Sequence, residues 1–319
     1  MNGYNGPLVQ MADAIDMHCH PYPDLFPRLA DDFDIVNAAK AAGMKAIVLK
    51  CHHESTVSRA YLVDKVTEGI KVFGGVVLNS YVGYLNPAAV EAALRLGGKV
   101  VWMPTIDAGY HAEVHGAAGG YDAQGGGRGG KGVWVLDEDG NLLPEVFEIF
   151  ELVAQHDAIL GTCHLSPREI VALVKAARER GVERISVTHP FFRVPNLDLD
   201  TVAEVAAMGA YPEFGYCTVS PAWHYATPEK VAAAIARVGA SRCLLVSDTG
   251  QRHNPLPSEA LRVFSQTLFE KGVSADDIDT MIKRNPAELL GIDAADWQPD
   301  GVASDDGTGT LESSPASSR

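Results

Sequence analysis

The chain has 319 residues, 46% hydrophobic and 21% charged, an ordinary globular balance with room for one large domain or two smaller ones. Its formal charge of −15, from 41 acidic against 26 basic residues, argues against a nucleic acid as partner, because phosphate binding needs a basic surface. No apolar run reaches the ~18–20 residues of a bilayer span, MNGYNGPLVQMADA lacks the basic start and apolar core of a secretory signal, and five cysteines without disulfide-framework spacing suit reduced thiols in the cytoplasm.

After an N-terminal arm (1–13), the first apolar segment is AIDMHCH (14–20). Asp16, His18 and His20 alternate along it, so a regular strand would show all three on one face. AIVLKCH (46–52) ends in Lys50 and His52, and is followed by KVFGGVVL (71–78) and KVVWMPTID (99–107). AILGTCHL (158–165) carries His164 and RISVTHP (184–190) carries His189. AYPEFGY (210–216) and CLLVSDTG (243–250), which holds Asp248, complete the series. Most of these runs are of strand length, apolar throughout and rich in Val and Ile, as in a parallel sheet buried on both faces.

Helical patterns lie between them. PREIVALVKAARERG (167–181) opens with Pro and closes with Gly, and TPEKVAAAIARVG (227–239) adds Thr227 as N-cap. DFDIVNAAKAAG, NPAAVEAALRLGG and LDTVAEVAAMG follow the same rule. The alternation predicts an α/β fold, a single-domain (β/α)8 TIM barrel over 14–292. An open doubly wound sheet is disfavoured, because it would string the polar strand ends along an edge instead of gathering them at one mouth.

Residues 108–144 form a long insertion after the fourth strand, Gly-rich at first and closing with a small hairpin around Asp139-Gly140. Gly125 to Lys131 has the spacing of a phosphate loop, but Gly132 stands where Ser or Thr is required and no strand–helix context surrounds it. A loop over the barrel mouth, a candidate lid, is expected instead. The tail 293–319 is small and polar and reads as disordered.

The strand ends carry the chemistry. Burying so many polar groups unpartnered would cost about 1–3 kcal/mol each. A divalent cation removes that cost, since His nitrogens and Asp oxygens are the usual ligands of catalytic zinc. Cys19, Cys51 and Cys163 each adjoin a strand-end residue of this set and are expected to face away from it, as small buried hydrophobes.

This ordered set resembles the amidohydrolase superfamily of metal-dependent barrels, whose motif has HxH after strand one, His at strands five and six, and Asp at strand eight. His18-Cys19-His20, His164, His189 and Asp248 match in order, and NPAELLG (285–291) is similar to the helix that often follows the barrel there. The resemblance implies a hydrolase holding one or two divalent ions, zinc first, with manganese, iron or cobalt as substitutes. His18, His20, His164, His189 and Asp248 would be ligands, Asp248 a proton carrier, and His189 a ligand or a polariser of the substrate carbonyl. Strand four lacks the Lys or Glu that commonly bridges two metals. Lys50 could carry CO2 and bridge a metal pair, hold a substrate carboxylate, or reach past the rim to solvent, which leaves the metal count open.

Substrate contacts are expected among His52, His53, His111, Arg193, Arg252 and His253, with Glu54, His115, Glu213, Tyr216 and His224 also near mouth loops. The implied reaction is cleavage of an amide, cyclic amide, lactone or ester. Alternatives are a mononuclear non-oxidative decarboxylase of the same superfamily, a metallophosphoesterase, and a silent ligand-binding barrel. The expected partners are a small-molecule substrate and a second copy of the chain, with neither nucleic acid nor membrane.

Overall fold

The computed structural model describes residues 8–121, 124–125 and 130–292; the expected disordered tail and most of the Gly-rich loop lie outside the described residues. Eight parallel strands follow one another around the sheet: β1 (Ile15–Cys19), β2 (Ala46–Leu49), β3 (Lys71–Val77), β4 (Val100–Trp102), β5 (Ile159–Gly161), β6 (Arg184–Thr188), β7 (Tyr211–Gly215) and β8 (Leu244–Val246). Asp248 N donates to His18 O at 2.8 Å and His20 N to Thr249 O at 2.8 Å, which brings the end of β8 onto β1 and closes the barrel. One helix follows each strand: α1 (Asp32–Ala41), α2 (Val57–Val66), α3 (Pro87–Arg95), α4 (Pro144–Gln155), α5 (Pro167–Glu179), α6 (Leu199–Ala207), α7 (Pro228–Val238) and α8 (Pro257–Glu270). None is long and apolar enough to cross a membrane.

Five of the eight helices, α1, α3, α5, α6 and α7, start where a side chain accepts from one of their first amides. Asp31 with Asp34, and Ser166 with Glu169, form reciprocal capping boxes. Proline fills the first turn of α3, α4, α5, α7 and α8, where its missing N–H costs nothing.

Between strands and helices lies the larger apolar layer, with Leu49, Leu160 and Leu245 facing outward from the barrel. A smaller cluster fills the barrel interior, among it Ile15, Val48, Val100, Ile159, Leu244 and Trp102. The helix Asn285–Leu290 seals the lower end, adding Leu289 and Leu290 to that cluster. Asn285 anchors it, donating from Nδ2 to Ala240 O at 2.8 Å and Cys243 O at 2.7 Å. Trp102 needs space on both sides, and two glycines supply it. A Cβ on Gly161 would lie 2.5 Å from Trp102 Cδ1, and one on Gly75 would lie 2.8 Å from Cζ3.

Two local irregularities change which side chains enter the mouth. In β1, Asp16 pairs with Ile47 and Cys19 with Leu49, so Met17 and His18 together oppose the single residue Val48. Met17 therefore joins the interior cluster, Cys19 the outer layer, and His18 and His20 the mouth. The alternation expected for Asp16, His18 and His20 is broken by this bulge, and Asp16 does not border the mouth cavity. At β5, Cys163 has φ +52, which turns it inward together with His164. The expectation that Cys163 faces away is corrected by that backbone flip.

The insertion is more ordered than its composition suggests. A helix at Gly109–His115, which the sequence did not signal, precedes a two-stranded ribbon of Gly120–Tyr121 and Gln124–Gly125. Val133 then pairs with Ala108, and the expected hairpin is one antiparallel bridge, Leu136 to Leu142.

Candidate functional site

A cavity of about 540 Å³ opens at the C-terminal ends of the strands. His18 and His20 reach it from β1, Lys50 and His52 from β2, His164 from β5, His189 from β6 and Asp248 from β8. His18 Nε2 lies 3.1 Å from His20 Nε2 and 3.2 Å from Asp248 Oδ1, and His20 Nε2 lies 3.3 Å from the same oxygen. Three donor atoms spaced like this form one face of a tetrahedron whose centre is about 2.0 Å from each corner, the usual zinc–imidazole and zinc–carboxylate distance.

Protonation suits that use. Burial holds His18, His20, His52 and His164 well below the usual imidazole range, and lowers His189 to about 3, so all five are neutral near pH 7. Glu213, inside β7, accepts from His18 Nδ1 at 2.7 Å, which fixes the His18 tautomer and leaves its Nε2 lone pair toward Asp248 and His20. Desolvation raises the Glu213 carboxyl to about 7. Asp248 Oδ2 receives the Cys217 thiol at 2.6 Å, so its other oxygen is the one turned to the histidines.

A second chain of imidazoles orients His164. His111 Nε2 faces Gly120 O at 2.8 Å and must donate to it. Its Nδ1 lies 2.8 Å from His164 Nδ1, close enough for one imidazole to donate to the other and hold the His164 ring in place. His164 and His189 stand with ring centroids 5.1 Å apart, and neither joins a trio of close ligand atoms among the described residues.

The other trio of that kind among the described residues is Asp24, Cys51 and His53. Its carboxylate is already engaged: Oδ1 accepts from His53 Nδ1 at 2.7 Å and Phe26 N at 3.0 Å, and Oδ2 from Arg28 Nε at 2.8 Å and Nη2 at 2.5 Å. A guanidinium against the same carboxylate opposes a cation there, so the His18, His20, Asp248 set fits a metal better.

Lys50 is completely buried, which overturns the alternative of a lysine reaching past the rim. Its Nζ is 3.5 Å from Cys163 Sγ and 5.1 Å from the centroid of the Trp102 ring, which occupies the interior position of β4. Of the residues expected to touch substrate, His52, Arg252 and His253 border the cavity. His111 stands behind His164, His53 is tied to Asp24, and Arg193 donates to Val114 O at 3.2 Å. The cavity also takes Phe26, Arg28, Tyr121, Phe192, Trp223 and Gln251, loop residues to which the sequence attached no role. Asp16 joins the first and last strands, accepting from His18 N at 3.2 Å and Ser247 N at 3.1 Å.

Solved structures share the architecture. An amidohydrolase from Pseudomonas aeruginosa is 12% identical, with a TM-score of 0.58 over 88% of this chain and 96% of that one. A mutant organophosphorus hydrolase from Deinococcus radiodurans is 14% identical, with a TM-score of 0.53 over 91% and 99%. A dihydroxybenzoic acid decarboxylase from Polaromonas, solved with manganese and 2-nitroresorcinol, is 12% identical, with a TM-score of 0.54 over 88% and 97%. No curated protein matches the sequence. The fold is thus an amidohydrolase-superfamily-like barrel. Residues 13–213 match the model of a family described as DUF6282, a family of unknown function, and the chain belongs to that family.

Proposed function

We propose that the protein is a metal-dependent hydrolase that cleaves an amide, cyclic amide, lactone or ester bond of a small molecule. The reading rests on one observation, the 3.1–3.3 Å spacing of His18 Nε2, His20 Nε2 and Asp248 Oδ1 at the cavity. These residues would hold one divalent cation, zinc first, which when bound supplies Lewis acidity that activates water and polarises a substrate oxygen. Glu213 keeps His18 in the tautomer that presents Nε2. Asp248 accepts a proton from the attacking water and returns it to the leaving group. His189 and His164 border the cavity as further ligands or as hydrogen-bond partners of the substrate. All five cysteines are free thiols, which supports a reducing, cytoplasmic setting.

Non-oxidative decarboxylation is the second reading. It is favoured by Trp102 in the interior of β4 and by a single well-fitting trio, since a bridged metal pair needs a ligand at that strand. Turnover of a panel of lactones, cyclic amides and esters in ¹⁸O-water separates the two. One ¹⁸O per product, lost on chelation and regained with zinc, is the expected result, and CO2 release without ¹⁸O would shift the assignment to the decarboxylase. Asp248→Asn should keep its melting temperature within a few degrees while zinc affinity falls at least about 100-fold. Turnover indifferent to chelation would sink both readings.

A further inference from the structure

The charges around the cavity run against those of the chain. Acidic residues outnumber basic ones 41 to 26 overall, yet the cavity is bordered by Arg28, Lys50 and Arg252 against one carboxylate, Asp248. That carboxylate belongs to the metal trio. Asp24 balances Arg28 from behind, so the positive charge that a substrate meets here beyond that pair is that of Lys50 and Arg252.

Arg28 is the best-formed of these cationic groups. It is 7% exposed, and Asp24 grips it through Nε and Nη2, which fixes the guanidinium plane and leaves Nη1 without a protein acceptor among the described residues. Asp24 is itself held by His53 Nδ1 and Phe26 N, so the guanidinium is locked from behind. Arg28 also pairs with Gln251 across the seam between the first and last mouth loops, and its carbonyl accepts from Arg252 Nε at 3.4 Å. Arg28 and Arg252, from opposite ends of the chain, thereby meet at one wall, the Arg252 guanidinium resting on the Arg28 backbone. The remaining walls are aromatic: Phe26, Tyr121, Phe192 and Trp223.

From this arrangement we infer that the substrate carries a carboxylate, received by Arg28 with Arg252 beside it, on a flat apolar body enclosed by the aromatic walls. The inference deepens the proposed hydrolase reading by naming its substrate class, and it stands on residues other than the metal trio. A carboxylate fits better than a phosphate, since the exposed part of a pinned guanidinium offers a planar edge to a planar monoanion. The aromatic faces bury a ring of that size.

Benzoate, with benzamide as its neutral isostere, is the probe. Binding is measured by calorimetry on the chelated protein, on the zinc-loaded protein and on Asp248→Asn, alongside Arg28→Met and Arg28→Lys. Benzoate should bind all three Arg28-containing forms and bind at least about tenfold more tightly than benzamide. Arg28→Met should remove that preference while benzamide binding is unchanged, and Arg28→Lys should restore only part of it, because a lysine cannot keep both the Asp24 grip and a planar edge. Unchanged benzamide binding certifies that the Arg28→Met cavity is intact. Equal binding of benzoate and benzamide, an undiminished preference in Arg28→Met, or inorganic phosphate binding as tightly as benzoate would each overturn the inference. Failure of zinc to bind, with the benzoate preference intact, would instead sink the metal reading and leave this one standing.

Discussion

Gly161→Ala tests how the floor of the site is built. The new Cβ would sit 2.5 Å from Trp102 Cδ1 and 3.2 Å from Nε1, where an ordinary carbon contact is about 3.5–4.0 Å. The indole must therefore retreat by about 1 Å. It cannot slide toward β3, because Gly75 already gives up its side chain to make room for the far edge of the ring. The neighbouring interior positions are filled by Val100 and Ile159, so relief has to come from displaced strands or an off-rotamer indole. We expect a loss of about 2–3 kcal/mol, the upper part of the range for overpacking a dense core. Urea unfolding should show a lower midpoint at constant slope, since the surface exposed on unfolding is the same. Trp102→Val removes the whole ring and with it the crowding atoms, so the double variant should lose at least about 1 kcal/mol less than the two single losses combined. A Gly161→Ala loss under about 0.5 kcal/mol, or strict additivity in the cycle, would show that Trp102 is not wedged between β3 and β5.

Asn285→Ala should destabilise by about 1–3 kcal/mol, because it strips the carbonyls of Ala240 and Cys243 of a buried donor. Chemical denaturation is the measurement, and a change below about 0.5 kcal/mol would mean the closing helix is held by Leu289 and Leu290 alone. Thiol labelling at pH 8 with a chromogenic disulfide should find no fast-reacting cysteine in the native protein and five after unfolding, as all five are buried. Burial pushes Cys243 up to about 12 and Cys51 up to about 11, so the thiolate fraction at pH 8 is negligible at both. Rapid native labelling of either would contradict the burial assigned to it.

The barrel was legible because its grammar is redundant. Most strands are apolar runs of the right length, and seven of the eight barrel helices, all but α2, have a side-chain cap or an N-terminal proline to mark where they start. The candidate ligands were legible for a related reason: His18, His20, His164, His189 and Asp248 interrupt or end apolar runs, where a polar side chain needs an explanation. Glu213 gave the same signal inside AYPEFGY, and its true neighbour, His18 at 2.7 Å, lies 195 positions away, beyond any local pattern. Arg28, Phe26, Phe192 and Trp223 lie in mouth loops with no period, so nothing in their spacing marks them as wall residues. The placing of Arg28 and Phe26 comes from the closure of β8 onto β1, which brings the loops at both ends of the chain together.

The irregular strand ends explain why the metal geometry was only half visible. Strict alternation with Ile15 and Met17 inside the barrel would point His18 and His20 at the helices. The single extra residue in β1 is what turns both imidazoles into the mouth. Cys163, His189 and Asp248 do comparable work at β5, β6 and β8, with φ of +52, +30 and +48 in the region that non-glycine residues seldom occupy. Each such residue costs on the order of 1–3 kcal/mol, and strain of this kind persists only where surrounding structure enforces it. Here it falls at three strand ends that carry or adjoin ligand candidates, β5, β6 and β8, while β1, β2, β3, β4 and β7 end without a positive-φ residue. A chain selected for a stable barrel alone would have no reason to concentrate strain at those three mouth positions. Its coincidence with a set of neutral imidazoles and one carboxylate is what a pre-shaped cation site requires.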